Sequence, residues 1–199
     1  MFLPMMTMNI PVGNVHNISA SPEISKNALV QKLNITSFGV LATNKAVDPE
    51  EEAKKAQAEK AEAIDAYFAD HDMPLEGTGL KMVEEADKND LDWRLLPAIA
   101  VRESTGGKFE CKKVKNNAFG WGSCKIGFKS NEQAIEVVAR NLGGNNPNTS
   151  HHYDNKTTLQ VLRAYNPPSI VPKYAEQVIS IMNTIGDEEM SSTLAMVST

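Results

Sequence analysis

The chain has two cysteines and four histidines in 199 residues, and nothing in it is long and apolar enough to span a bilayer. The scarcity of cysteine and histidine limits metal chemistry. Cys111 and Cys124 lack zinc spacing, and the pair His151-His152 has no cysteine or acidic set beside it, so it reads as an exposed loop and no metal is expected. Basic blocks are missing too. With a formal net charge of −5, no basic block stands out to meet phosphates, which argues against a generic nucleic-acid binder and gives no electrostatic reason to be drawn to acidic polymers. The two cysteines close a short loop, either as a disulfide or as two reduced thiols. What is present is ordinary for a globular chain: 41% hydrophobic and 23% charged residues, enough for one domain with extensions or two small ones.

Residues 1–47 mix Met, Asn, Ser and Pro with short apolar runs and sustain no period, so this segment is expected to be poorly ordered. Residues 26–46 hold a weak match to a targeting signal, with Lys26 and Lys32 ahead of an apolar run interrupted by Asn34, Thr36 and Ser37. Asn17, Asn34, Asn148 and Asn155 open glycosylation patterns short enough to arise by chance. Asp48-Pro49-Glu50-Glu51-Glu52 then starts a helix, with a capping Asp, a first-turn proline and acids at the positive end of the dipole. Residues 48–62 read as a charged helical stalk that docks where Ile64, Tyr67 and Phe68 thicken the apolar content. A second helix is predicted from about Gly79 to Lys88, with Leu80, Val83 and Ala86 inward.

The informative stretch is residues 95–107. Leu96, Ile99, Ala100 and Glu103 fall at i, i+3, i+4 and i+7, so one apolar helical stripe ends in a carboxylic acid. A buried carboxyl without a partner escapes its desolvation cost by a raised pKa, which is what a general acid needs. Gly106-Gly107 should stop the helix and leave Glu103 at the edge of a cleft. Helix geometry alone favours a plainer reading, a Glu that snorkels out or pairs with a base. Downstream, Asn116-Asn117-Ala118-Phe119-Gly120-Trp121-Gly122 sets two rings among small residues, which predicts rings presented in a loop, as sugar-stacking faces, and not simply core. Ser130-Asn131-Glu132-Gln133 is a capping box for a helix ending at Gly143-Gly144. Asn145 to Asn155 reads as a polar loop. Another helix starts at Thr157 or Thr158, and a last one is opened by Pro172 and stopped by Gly186, with residues 187–199 as a loose tail.

Together, Ala100-Val101-Arg102-Glu103-Ser104, Asn116 to Trp121, Ser130-x-x-Gln133-Ala134-Ile135, Ala164-Tyr165-Asn166 and Lys173-Tyr174-Ala175 resemble the lysozyme-like superfamily of cell-wall glycosidases. The Asn-Asn-x-Phe-Gly element and the closing Tyr-Ala resemble bacterial endo-β-N-acetylglucosaminidases, and Glu-Ser followed by Ala-Tyr-Asn resembles lytic transglycosylases and goose-type lysozymes. The resemblance implies a mainly α, lysozyme-like domain over residues 63–186, with a small irregular or β-containing loop region and the charged helix before it. It implies cleavage of β-1,4 bonds between the amino sugars of peptidoglycan, with Glu103 as general acid. The substrate-binding residues would be Asn117, Phe119, Trp121, Tyr165, Asn166 and Tyr174. A monomer acting on glycan strands in the envelope or outside the cell, without a cofactor, is expected. In that compartment Cys111 and Cys124 are expected to be oxidised, and closing their loop would stabilise by about 3 kcal/mol. No second catalytic carboxylate can be placed: Glu110 is close in sequence, Glu132 and Glu136 sit on a helix and Asp154 lies in a distant loop, whereas a substrate-assisted or transglycosylase-like route needs none. Two other classes compete: a glycan-binding module without turnover, which would gain nothing from a costly buried acid, and a helical adaptor, which would explain residues 48–62 but not the loop aromatics.

Overall fold

A computed structural model describes residues 48–197, with side chains as far as Ile185. The segment 1–47, its targeting stretch and the patterns at Asn17 and Asn34 lie outside the described residues. Seven helices make up the described part: α1 (Pro49–Asp70), α2 (Gly79–Lys88), α3 (Leu95–Ser104), α4 (Asn131–Leu142), α5 (Ser150–Tyr153), α6 (Thr158–Tyr165) and α7 (Tyr174–Val197). Among the described residues there is no strand, and no helix is long and apolar enough to cross a membrane. The expected loop region is therefore irregular and not β.

Helix α1 begins as its sequence dictates. Asp48 accepts from the Glu50 N–H at 3.0 Å, Pro49 fills the first turn, and Lys54 reaches Glu50 at 2.7 Å. The stalk is continuous with the docked half, since the helix runs unbroken to Asp70 and burial starts at Ala61. Its exposed half also touches the domain, through Gln57 to Asp87 at 2.8 Å.

Helix α2 departs from the expectation at Leu80, which is 49% exposed; the buried stripe is Gly79, Met82, Val83 and Ala86. Val83 and Ala86 are buried as expected, and only the start of the stripe differs, with Gly79 inward in place of Leu80. The difference follows from Gly79, where a Cβ would sit 2.3 Å from the Ala61 carbonyl oxygen, so α2 meets α1 backbone to backbone there and Leu80 turns away. Asp65 fixes the approach by accepting the Gly77 and Gly79 N–H groups, both at 2.9 Å.

Helix α3 lies at the centre. It packs against α2 and α7, and its residues from Leu95 to Ala100 are all buried. It starts at Leu95, slightly ahead of the predicted Leu96 or Pro97; the first N–H groups of a helix have no acceptor within it, so Pro97 loses nothing in that first turn. Helix α4 is capped by Ser130, which accepts from the Gln133 N–H at 3.3 Å, while the Gln133 side chain accepts from Lys129 and not from the cap itself. Thr157 and Gln160 form the full capping box of α6. The polar stretch after α4 contains the single turn α5, which carries the exposed His151 and His152 and the buried Tyr153.

Helix α7 starts at Tyr174, two residues after Pro172, and buries Tyr174, Ala175, Val178, Met182 and Ile185. It runs past Gly186, the predicted stop, to Val197. One glycine inside a helix costs only about 1 kcal/mol, and the Asp187-Glu188-Glu189-Met190 that follows carries no breaker.

Candidate active site

Four segments meet at one cavity: the end of α3, the loop between α3 and α4, the single turn α5, and the end of α6 with the turn that follows it. The end of α3 is closed by Thr105, a left-handed residue at φ 53°, not by the first glycine. The Thr105 and Gly106 N–H groups return to the Val101 and Ala100 carbonyls at 2.9 and 3.1 Å. Ser104 then fastens the loop to the helix. Its buried hydroxyl donates to the Ala118 carbonyl at 2.7 Å and accepts from the Gly107 N–H at 2.9 Å. The Cys111–Cys124 disulfide is formed and ties the two arms of the loop together.

Asn117 organises the tip. Its fully buried amide donates to the Trp121 and Ile126 carbonyls and accepts the Trp121 N–H, each at 2.9 Å. These bonds hold the 3₁₀ turn Trp121–Cys124 in place. The amide is thus committed to backbone, and Asn117 does not line the cavity. Phe119 also departs from the expectation. It is 1% exposed and belongs to the core, because Ala118 and Phe119 turn inward under the loop while Trp121 alone faces out.

The cavity has a volume of about 510 Å³. That is within the roughly 300–1,000 Å³ of small-molecule sites. Glu103 lies on one wall beside Gly120 and Trp121; Tyr165 and Asn166 stand on another, with Tyr153 and Ile170 completing it. Trp121 and Tyr165 rings are 5.8 Å apart, and Tyr165 stacks in turn on Tyr174 at 6.0 Å. The Tyr165 hydroxyl donates to the Phe119 carbonyl, so it presents its ring edge to the cavity and not a free hydroxyl. Asn166 caps α6, its N–H donating to Leu162.

Glu103 is held from behind. The Tyr174 hydroxyl donates to Oε1 at 2.6 Å. In front, a Cβ on Gly120 would come within 2.8 Å of Oε2, at a backbone φ of +63°, so glycine is required there for both conformation and space. With Oε1 engaged, Oε2 is the oxygen left to carry a proton toward the cavity. Burial pushes the carboxyl's pKa up; the Tyr174 hydrogen bond and the nearby Arg102 charge pull it down by less, and the net direction is upward. Arg102 is itself oriented by α7, donating to Gln177 at 2.8 Å with its guanidinium 5.6 Å from the Tyr174 ring. Burial and the Glu103 charge push the Tyr174 phenol far above its usual range, so it remains a neutral donor.

Tyr174→Phe removes the largest influence that lowers the Glu103 pKa. Were Glu103 to act as a general acid, its active form would be lost as pH rises through its pKa, so the alkaline limb of a pH–rate profile should move to higher pH in this variant. An unmoved limb would show that the hydrogen bond does not tune the acid.

Among the described residues that line the cavity, Glu103 is the only carboxylate; Glu110, Glu132, Glu136 and Asp154 are elsewhere. Of the residues predicted for the site, Glu103, Trp121, Tyr165 and Asn166 meet at the cavity, Tyr174 stands behind the acid, and Asn117 and Phe119 support the loop. Sequence reasoning missed Gly120, Ser104, Tyr153 and Ile170. Gly120 had a signal, a glycine between two aromatics, but Tyr153 and Ile170 sit in polar and proline-rich stretches without periodicity. Compared with known proteins, the chain matches no family model, no curated protein and no solved structure.

Proposed function

We propose that this chain cleaves β-1,4 glycosidic bonds between the amino sugars of bacterial peptidoglycan, as the lysozyme-like glycosidases it resembles do. The observation that carries the reading is Glu103: a half-buried carboxyl with a raised pKa, oriented by Tyr174, facing an aromatic-walled cavity large enough for sugar rings. Its environment is of the kind the handling of leaving groups requires, and a lysozyme glutamate in a hydrophobic pocket is the type example of the role. Glu103 Oε2 donates its proton to the glycosidic oxygen as the bond to the anomeric carbon breaks, and Tyr174 steadies the carboxylate that remains. Since no second acid lines the cavity among the described residues, the attacking group is assigned to the substrate itself. Attack by its N-acetyl oxygen on the anomeric carbon would give a cyclic oxazoline that water then opens, completing hydrolysis; attack by its 6-hydroxyl, with that proton passing to the Glu103 carboxylate, would give an anhydro sugar, as in lytic transglycosylases. The disulfide fits an oxidising location, in the envelope or outside the cell.

Digestion of purified peptidoglycan with the full chain, followed by mass spectrometry, tests this. Soluble muropeptides with reducing or anhydro ends are expected, and the end group separates the two routes. If saccharide binds but no fragments appear, the cavity belongs to a binding module.

Trp121 is only partly buried and forms part of the cavity wall, so Trp121→Ala should lower kcat/KM at least about tenfold while Tm drops by only a few degrees. A large loss of Tm with normal turnover would make the ring a packing element.

A further inference from the structure

The net charge of −5 conceals a strong asymmetry. Between residues 108 and 129 there are six lysines and one glutamate, a net +5 that leaves −10 on the rest of the chain. The expectation that no basic block stands out is corrected here: the lysines form no unbroken run, but one stretch of sequence carries them all, and its two arms are joined to each other. Lys108, Lys112, Lys113, Lys115, Lys125 and Lys129 are all exposed, and none makes an ion pair among the described residues. The Cys111–Cys124 bridge joins the two arms that carry them, and the Phe128 N–H donates to the Lys115 carbonyl at 3.0 Å further along. Two apolar side chains stand among these charges. Phe109, two residues before Cys111, is 75% exposed, and Ile126, two residues after Cys124, is 44% exposed.

We propose that this disulfide-closed loop docks the protein on an anionic phospholipid surface, with the lysines at the headgroups and Phe109 inserted between them. Charge complementarity selects the anionic surface; the exposed ring selects a bilayer over a soluble phosphate polymer, which would leave Phe109 in water. The acidic remainder of the chain is repelled by the same surface, so the molecule approaches loop first. Gly122 and Ser123 of this loop line the cavity, so docking sets the cavity mouth beside the membrane. The inference does not depend on the proposed cleavage activity.

The test is cosedimentation of the oxidised full-length protein with vesicles of phosphatidylglycerol and phosphatidylcholine in equal parts, and with phosphatidylcholine alone. Binding to the mixed vesicles, lost on the neutral ones and weakened by salt, is expected. At about fivefold per lysine near the surface, Lys112→Glu with Lys113→Glu should weaken partitioning at least ~25-fold. Phe109→Ser should weaken it about tenfold. All these sites are exposed, so circular dichroism and Tm should match the parent's. Glu103→Gln should bind as the parent does, which separates this result from any failure of catalysis. Equal binding to both vesicle types, or undiminished binding by the lysine double variant, overturns the proposal. Displacement by soluble polyphosphate, with Phe109→Ser binding as well as the parent, also overturns it and gives the loop to a phosphate polymer.

Discussion

Glu103→Gln should reduce the release of soluble fragments from peptidoglycan by ~10²–10⁴-fold, the usual contribution of a positioned general acid, with folding intact. Gln keeps the shape of the side chain and can still accept from the Tyr174 hydroxyl, but it has no acidic proton for the leaving oxygen. The stability effect has a definite sign. The folded-state pKa of Glu103 is raised, so its contribution is fully present at low pH and is lost as pH rises through that pKa. Above it, an ionised carboxylate sits in a partly desolvated place, and the neutral amide avoids that cost. The variant should therefore melt no lower than the parent at neutral pH, and its relative advantage should vanish in acid. A folded Gln variant that still clears peptidoglycan at nearly the parental rate would remove Glu103 from the mechanism.

Phe119→Ala should destabilise the domain by about 3–5 kcal/mol, the range for large-to-small changes at aromatic core positions. The ring is 1% exposed and part of the main core, and its removal leaves a void beneath the loop whose backbone carries both the Ser104 and the Tyr165 hydrogen bonds. For a domain of this size each kcal/mol moves Tm by roughly 2–4 °C, so a drop of about 6–20 °C is expected. Loss of activity should accompany it, because Gly120 and Trp121 follow directly. Thermal and denaturant melts decide the matter. A small change in Tm with a large change in substrate use would restore Phe119 to the cleft, where its small neighbours first suggest it belongs.

The helices were readable because their signals are local. Asp48, Ser130 and Thr157 are caps, and the stripe from Leu96 to Glu103 has a period that burial follows. Even so, local signals fail where a neighbour decides. Leu80 looks like a core residue until α1 presses on Gly79, and Gly186 looks like a stop although its single cost is small. At the cavity, residue type was legible and direction was not. Phe119 and Trp121 have the same sort of neighbours, and only the Asn117 hydrogen bonds and the Ser104 clamp determine which ring turns in. Tyr174 was legible as a residue of the site, but nothing in the sequence tells a hydroxyl that meets sugar from one that meets Glu103.

The Tyr174–Glu103 hydrogen bond joins residues 71 positions apart. A chain made from its N-terminus presents α3 well before α7 exists, and closing so long a loop is entropically slow compared with forming either helix. Until α7 docks, the acid lacks its orienting donor, the Arg102–Gln177 contact and the packed wall formed by Tyr165 and Tyr174. Under the proposed function, catalytic competence would therefore wait on α7: a half-folded molecule would carry the same glutamate and be inert, and the onset of activity during refolding should coincide with the last tertiary step, not with helix formation.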